Sequence, residues 1–295
     1  MTPQPAYSEF LELASRGNLV PVYADVMADV LTPVAAYAKL SVAKPAFLFE
    51  SVVGGEQVSR YSFLGCNPSK VIAVKGNEAA VRHRDGKIET HPAPADPLSL
   101  VEEELKSCNP APPPGMPRFS GGAVGYLSYE YATCVEPSVS RPEVDSLGLP
   151  MLYFLVAESV VIFDHAKQML RICVHTRPDN DPEAAYEKAC SEIKGIMEIL
   201  RSENQLRPVP LKTVEIPETP PPGNFTREEF ESLVHTAKEY IQAGDIIQTV
   251  LSQRFSYPFK GDSIDLYRAL RVVNPSPYMF HLKMNDSTII GSSPE

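Results

Sequence analysis

Short runs in which apolar and polar residues alternate fill most of the chain before residue 180. Alternation places successive side chains on opposite faces of a strand, and Gly-Gly, Gly-Asn and Asp-Gly pairs are typical of tight turns between antiparallel strands. The runs therefore predict β-hairpins. The predicted strands are Phe47–Val53 with Arg60–Leu64, Val71–Lys75 with Ala80–Arg84, Lys87–His91 after Asp85-Gly86, and Met151–Phe163 with Gln168–His175.

Two longer segments repeat apolar residues at helical spacing and carry helix start signals. Asp181 and Pro182 provide an N-cap and a first-turn proline before a helix that continues to Leu200. Thr226 and Glu229 form a capping-box pattern before a helix that should end at Gly244. Hairpins mixed with helices predict an α+β fold rather than a parallel sheet. The remaining predicted elements are a strand over Ile246–Phe255, a helix near Ile264–Val273, and a hairpin of Tyr278–Met284 with Ser287–Ser292.

Proline is the one compositional excess, with 29 residues in a chain of 295. The cluster from Pro208 to Pro222 has neither helical nor alternating periodicity, which predicts a linker. The length suits about two domains of 100–200 residues each. We therefore expect domains at 1–205 and 224–295, joined by a Pro-rich linker at 206–223.

The charge balance argues against a polyanionic partner. Lysine and arginine number 27 and aspartate and glutamate 37, a net charge of −10, whereas nucleic acid binding needs clustered cations. The five cysteines form no CxxC pair, which is typical of reduced cytosolic thiols. The apolar run Met151–Ala157 is too short to cross a membrane, and the N-terminus has no basic signal-peptide region, so we expect a cytoplasmic protein.

Single residues indicate little chemistry by themselves. The glycine-rich stretch Gly121–Gly125 is not followed by a helical pattern that would aim amide groups at a phosphate, so we interpret it as structural glycine. On the predicted strand Ile246–Phe255, which contains Gln248, polar residues fall on both faces. That pattern is typical of a strand at the margin of a sheet.

Longer sequence motifs carry a more specific signal. They are AFLFESVVGGEQVSRYSFLG (46–65), FSGGAVGYLSYEY (119–131), DSLGLPMLYF (145–154), YIQAGDIIQTVLSQRF (240–255), NPSPYMFHL (274–282) and GSSPE (291–295). Together, and in this order, they resemble anthranilate synthase component I, one of the chorismate-utilising enzymes. The resemblance implies antiparallel β-sheets packed face to face with helices on the outside. It also identifies 1–205 as that family's N-terminal domain and 224–295 as the beginning of its chorismate-binding catalytic domain.

The resemblance implies catalytic roles for Gln248 and Glu295. Relatives that add water to chorismate carry a lysine at the position of Gln248, and those that add ammonia carry a glutamine. Water needs a base of depressed pKa, such as a buried lysine, whereas ammonia is already nucleophilic and needs only positioning. Glu295 matches the glutamate thought to protonate the departing ring hydroxyl, which requires a pKa raised by burial.

The resemblance also implies a site at which tryptophan acts as a feedback inhibitor, formed by Glu50, Ser51, Pro277, Tyr278 and Met279. An amino acid needs acceptors for its ammonium group, donors for its carboxylate and an apolar slot for its side chain, and these residues can supply all three. By chemistry alone an ordinary strand and core explain these residues better, and the resemblance reverses that preference. Because they come from both sides of the linker, ligand binding would bias how the two parts pack, as allostery requires.

Other requirements of the family fall outside the chain. The resemblance implies Mg²⁺, with its ligands beyond residue 295, so we expect no metal site within these residues and no activity from this fragment alone. It also implies a glutamine amidotransferase partner, component II, that supplies ammonia. Two alternatives stay open, namely aminodeoxychorismate synthase component I, whose distinguishing motif would also lie beyond residue 295, and a non-catalytic tryptophan-binding regulatory module.

Overall fold

Antiparallel strand pairing dominates the computed structural model, which describes residues 2–42, 45–52, 60–141, 145–179, 181–203, 206–209 and 219–294. The strands are β1 (Val20–Met27), β2 (Ala46–Glu50), β3 (Tyr61–Cys66), β4 (Lys70–Lys75), β5 (Glu78–His83), β6 (Ile88–Pro92), β7 (Gly122–Leu127), β8 (Leu152–Ala157), β9 (Ser159–Asp164), β10 (Met169–Thr176), β11 (Tyr278–Lys283) and β12 (Thr288–Ser293). The helices are α1 (Tyr7–Ala14), α2 (Pro33–Leu40), α3 (Ser99–Lys106), α4 (Ala132–Val135), α5 (Pro182–Arg201), α6 (Arg227–Ala243) and α7 (Ser263–Val273), with a 3₁₀ turn at Tyr129–Tyr131.

The elements belong to two compact units. One comprises Met1–Arg207 with Ser263–Glu295, and the other comprises Pro208–Asp262. The last helix and hairpin therefore belong to the same unit as the N-terminal strands. The division of the chain into 1–205, 206–223 and 224–295 stays a prediction.

The larger unit contains two antiparallel sheets. The seven-stranded sheet has the order β1-β10-β9-β3-β2-β11-β12, and the five-stranded sheet has the order β6-β5-β4-β8-β7. The predicted pairings of β2 with β3, β4 with β5, β5 with β6, β9 with β10 and β11 with β12 are confirmed. Because β11 also pairs with β2, residues from both ends of the chain share one sheet.

The predicted long strand Met151–Phe163 is divided between the two sheets at Glu158. β8 pairs with β4 and β7 in the five-stranded sheet, whereas β9 pairs with β3 and β10 in the seven-stranded sheet. Almost every residue of both strands is buried, because each strand has packed neighbours on both faces. A run without alternation does not reveal such a crossing.

Three apolar layers hold these elements together. The layer between the sheets contains Phe47, Val124, Leu155, Ile162, Cys173 and Leu282. The other face of the seven-stranded sheet is covered by α1, α2, α5 and α7, and α3 packs on the other face of the five-stranded sheet. The predicted α+β class, with antiparallel sheets face to face and helices outside, is confirmed.

Local capping signals set the helix ends as predicted. The Asp181 carboxylate accepts a hydrogen bond from the Ala184 amide at 3.0 Å at the start of α5. At α6, the Thr226 hydroxyl accepts from the Glu229 amide at 3.2 Å, and the Glu229 carboxylate accepts from the Thr226 amide at 2.8 Å. Gly244 follows with a φ of +84°, the left-handed conformation that favours glycine. Within the described ranges, no helix is long and apolar enough to cross a bilayer.

The smaller unit contains α6 but lacks the predicted strand over Ile246–Phe255. Phe255 makes an isolated bridge with Gly223, and no residue of that segment lies in a strand. Ile247 is 95% exposed and Val250 is 83% exposed. The strand prediction is wrong because this segment has a single bridge in place of a paired strand and has no buried face, and both are needed to stabilise a strand.

Candidate functional site

The end of β2 places a buried carboxylate beside α7. Glu50 is the last residue of β2, and its side chain is 3% exposed. The Tyr267 hydroxyl donates a hydrogen bond to Glu50 Oε2 at 2.7 Å. Arg271 Nη2 donates a hydrogen bond to Glu50 Oε1 at 3.5 Å. Arg271 Nε lies 3.1 Å from Glu50 Oε2 and forms an ion pair with it, but its N–H does not point at that oxygen. Because Tyr267 and Arg271 are four residues apart on α7, both side chains reach Glu50 from one face of the helix.

The electrostatics of this cluster are governed by burial. Burial raises the pKa of Glu50, and the Arg271 charge and the Tyr267 hydrogen bond offset only part of that effect. Burial also raises the pKa of the Tyr267 phenol, and the Glu50 charge raises it further, so the phenol remains a hydrogen-bond donor. A cationic group reaching Glu50 would meet a carboxylate that water solvates poorly.

A cavity of about 370 Å³ opens beside Glu50, within the range of about 300–1,000 Å³ that small-ligand sites occupy. Its polar wall includes Ser51, Arg271, Ser62 and His165. Ser62 Oγ lies 2.8 Å from His165 Nε2. Its apolar wall includes Leu31, Pro33, Val52, Phe163 and Met169. The cavity therefore combines hydrogen-bonding groups with apolar surface.

Charges of both signs face this cavity. Burial lowers the pKa of His165, with Asp164 opposing and Arg271 adding to the effect, so the imidazole is neutral near pH 7. Burial alone would raise the pKa of Asp164, but the hydrogen bond from Arg60 holds it below its ordinary value. Arg60 Nη2 and Asp164 Oδ2 are 2.9 Å apart. Two carboxylates and one guanidinium at a single cavity suit a zwitterionic ligand.

The structure brings some of the predicted tryptophan-site residues together. Glu50 and Ser51 line the cavity. Met279 lies opposite Glu50 in the β2–β11 pair and is 1% exposed, so it belongs to the core. Pro277 precedes β11, and Tyr278 is its first residue and is 54% exposed. Neither of these two residues lines the cavity.

The predicted catalytic residues belong to other parts of the sequence. Gln248 belongs to the smaller unit, in a segment without regular structure. Glu295 lies outside the described residues. The part of the chain that the structure describes holds no group of three or more His, Cys, Asp or Glu side chains suited to a metal ion.

Sequence reasoning missed Tyr267, Arg271, Ser62 and His165 as residues of this site. The four-residue spacing of Tyr267 and Arg271 on a predicted amphipathic helix is a signal that could have placed both on the sheet-facing side. No local signal marks Ser62 and His165. Their contact depends on the pairing of β3 with β9.

The larger unit has two antiparallel sheets packed face to face under flanking helices, and a small polar cavity lies at the end of a central strand. This architecture defines an α+β protein able to hold a small ligand. The chain belongs to the chorismate binding enzyme family, whose model matches residues 44–295. The family resemblance carried by the sequence motifs is thereby confirmed.

Individual relatives agree with this assignment. Anthranilate synthase component 1 of Pseudomonas putida is 39% identical over 290 residues, covering 97% of this chain and 58% of the relative. The protein of the same name from Acetivibrio thermocellus is 37% identical over 297 residues, covering 99% of this chain and 59% of the relative. The crystal structure of anthranilate synthase component I from Streptococcus pneumoniae TIGR4 matches with a TM-score of 0.57 and 29% identity, covering 92% of this chain and 57% of that chain. The chain thus spans less than two thirds of the length of these relatives.

Proposed function

We propose that this chain is part of anthranilate synthase component I, which converts chorismate and ammonia to anthranilate and pyruvate in the first committed step of tryptophan biosynthesis, in the cytoplasm. The observation that carries the proposal is the 39% identity to a protein of that name along 97% of the chain. The motifs at 46–65, 119–131 and 274–282, which resemble the same family, support it further.

The proposed chemistry assigns different tasks to Gln248 and Glu295. A carboxamide cannot take a proton at neutral pH, so Gln248 would orient ammonia or the ring rather than act as a base. Glu295 would protonate the departing ring hydroxyl as a general acid, for which its pKa must be raised by burial. Elimination of pyruvate, with loss of a ring proton, then makes the ring aromatic. Ammonia would be delivered by a glutamine amidotransferase subunit.

Magnesium belongs to this proposal only through the family. The described residues offer no cluster of three or more His, Cys, Asp or Glu side chains suited to a metal ion, so they do not fit the expected Mg²⁺ site. No step of the proposed reaction is assigned to a metal held by these residues.

The proposed regulatory ligand is tryptophan, bound in the cavity beside Glu50 and Ser51. Met279 would support this site from the core through its pairing with Glu50, whereas Pro277 and Tyr278 lie outside the cavity lining. The cavity of about 370 Å³ supports this proposal because it offers carboxylates for an ammonium group and the Arg271 guanidinium for a carboxylate. Ligand binding there would act on β2 and α7 together. Those two elements come from opposite ends of the chain.

The test uses the protein encoded by the complete open reading frame that contains these 295 codons. Incubation with chorismate, ammonium salts and Mg²⁺ should give anthranilate, identified by its fluorescence and by chromatography. Formation of isochorismate, salicylate or aminodeoxychorismate instead would contradict the assignment. Tryptophan should inhibit the reaction, and inhibition by phenylalanine or tyrosine at equal strength would contradict the regulatory part alone.

A further inference from the structure

A second and larger cavity lies in the larger unit, away from the site beside Glu50. Its volume is about 840 Å³, and it shares no lining residue with that site. It is bounded by the start of β4, the end of α3, the segment 107–118, the start of β7 and the ends of β8 and β10. The volume falls within the range of about 300–1,000 Å³ for small-ligand pockets.

One wall of this cavity is apolar and firmly held. Pro110, Pro112, Pro113 and Pro117 contribute to it with Met116. Proline carries no N–H group, so this wall presents apolar surface with few backbone donors. The segment is anchored because the Ala111 amide donates to Leu19 O at 2.9 Å and the Asn109 amide donates to the Asn18 side chain at 2.6 Å. A wall fixed in this way needs little ordering when a ligand binds.

The cavity is lined by more positively than negatively charged side chains. Its two carboxylates are already matched by cations, Glu104 by Lys70 at 2.7 Å and Glu158 by Arg84 at 3.5 Å. Arg177 contacts neutral groups, namely the carbonyl and hydroxyl oxygens of Ser107 and the sulfur of Cys108.

Arg118 lines the same cavity. Among the described residues neither Arg118 nor Arg177 forms an ion pair with a carboxylate, although the protein's net charge is −10. Two unmatched guanidinium groups favour a carboxylate or phosphate group in the ligand.

A neutral polar pair stands beside these cations. His175 Nε2 lies 3.3 Å from Ser120 Oγ, and its Nδ1 lies 3.4 Å from the backbone oxygen of Glu158. A Cβ atom at Gly121 would lie 2.7 Å from His175 Nδ1 and 3.0 Å from Ala157 O. The first glycine of the Gly121–Gly125 stretch is therefore required for β7 to begin this close to the imidazole.

We propose that this cavity is a binding site for a small organic anion with an apolar body, whose carboxylate or phosphate faces Arg118 and Arg177 while its apolar body lies against the proline wall. The imidazole of His175 and the hydroxyl of Ser120 would hydrogen-bond polar substituents on that body. The inference depends on the geometry of the larger unit and not on the proposed reaction. It adds a second ligand site to the one beside Glu50.

The experiment titrates the 295-residue chain, labelled with ¹⁵N, with benzoate, phenyl phosphate, inorganic phosphate and neutral benzyl alcohol in separate NMR series. Benzoate or phenyl phosphate should shift the amide signals of Ser120, Gly121 and Arg177, and comparison of the two identifies the preferred anion. Inorganic phosphate and benzyl alcohol should each bind at least about tenfold more weakly, because each lacks one half of the recognised chemistry.

The variants Arg118→Gln and Arg177→Gln should each weaken binding of the better probe by about tenfold or more, the effect of losing a charge-assisted hydrogen bond. Arg201→Gln, at the exposed end of α5, is the matched control and should not change affinity. Arg118 is exposed, so Arg118→Gln should leave the fold intact. It therefore tests the proposal even if Arg177→Gln fails to fold. The proposal would be overturned if benzyl alcohol or inorganic phosphate bound as tightly as the better probe. Unchanged affinity of Arg118→Gln for that probe would also overturn it.

Discussion

Arg271 Nε lies 3.1 Å from Glu50 Oε2, although the two residues are 221 positions apart in the chain. Glu50 ends β2 and Arg271 lies in the last turn of α7. Both residues line the cavity that Ser51 and His165 also line. A ligand entering this cavity would interact with an ion pair that joins the two ends of the sequence.

The pH dependence of stability should report the environment of Glu50. The pKa of Glu50 is raised in the fold, so the folded state holds this proton more tightly than the unfolded state. The stability from this group is fully present below the unfolded pKa and is lost as the pH rises through the folded pKa. Glu50→Gln cannot titrate, so the free energy of unfolding of the wild type relative to this variant should increase as the pH is lowered from 7.

Urea unfolding of both proteins across that pH range measures the difference. Glu198→Gln, which replaces an exposed glutamate on α5, is the control and should not reproduce the slope. A wild-type advantage that stays constant would mean that Arg271 and Tyr267 fully offset burial at Glu50, and one that shrinks as the pH falls would mean that they outweigh it.

We expect Met279 to contribute strongly to the stability of the fold, although the sequence predicted it as a ligand-binding residue. It is 1% exposed and packs in the layer between the seven-stranded sheet and its helices. Met279→Thr leaves a void and buries a hydroxyl, so we expect a loss of about 2–5 kcal/mol in the free energy of unfolding. Met279→Leu conserves volume and should cost less than about 1.5 kcal/mol. Chemical denaturation of the two variants tests this, and equal losses would place Met279 outside the packed core.

Gln248 should matter to turnover rather than to folding. In the complete enzyme, Gln248→Lys would introduce a cation where ammonia is to be oriented, so the rate of anthranilate formation from ammonium salts should fall. Gln242→Lys makes the same change of charge on the exposed surface of α6 and should leave the rate unchanged. If both variants keep full activity, Gln248 has no part in the reaction.

The elements that the sequence predicted correctly are those with local signals. Asp181, Thr226 and Glu229 mark helix starts through hydrogen bonds to residues three positions away. Gly76 and Gly86 adopt positive φ values in the turns on either side of β5. These signals depend on a few neighbouring residues, so they can be recognised without knowing the rest of the fold.

The features that could not be predicted depend on distant partners. The segment 246–255 has a strand-like composition, but no strand forms there without a neighbour to pair with. The crossing between sheets at Glu158 is invisible in a run that is buried on both faces. The Glu50–Arg271 contact requires α7 to pack beside β2, which no local pattern encodes. The candidate site was therefore predicted on its β2 side and missed on its α7 side.

Ser51 provides the most direct test of the proposed tryptophan site. It lines the cavity next to Glu50, and its hydroxyl is expected to hydrogen-bond a charged group of the ligand. Ser51→Ala should forfeit about 1.5–3 kcal/mol, or roughly ten- to a hundredfold in tryptophan affinity.

Ser202→Ala is the control for this prediction. It removes a hydroxyl that bonds locally to Ile199 O at the end of α5, and it should leave tryptophan affinity unchanged. Calorimetric titration with tryptophan measures binding, and chorismate turnover in the complete enzyme without tryptophan should be the same for wild type and both variants. Equal tryptophan affinity in wild type and Ser51→Ala, or a parallel loss of turnover, would show that this cavity is not the regulatory site.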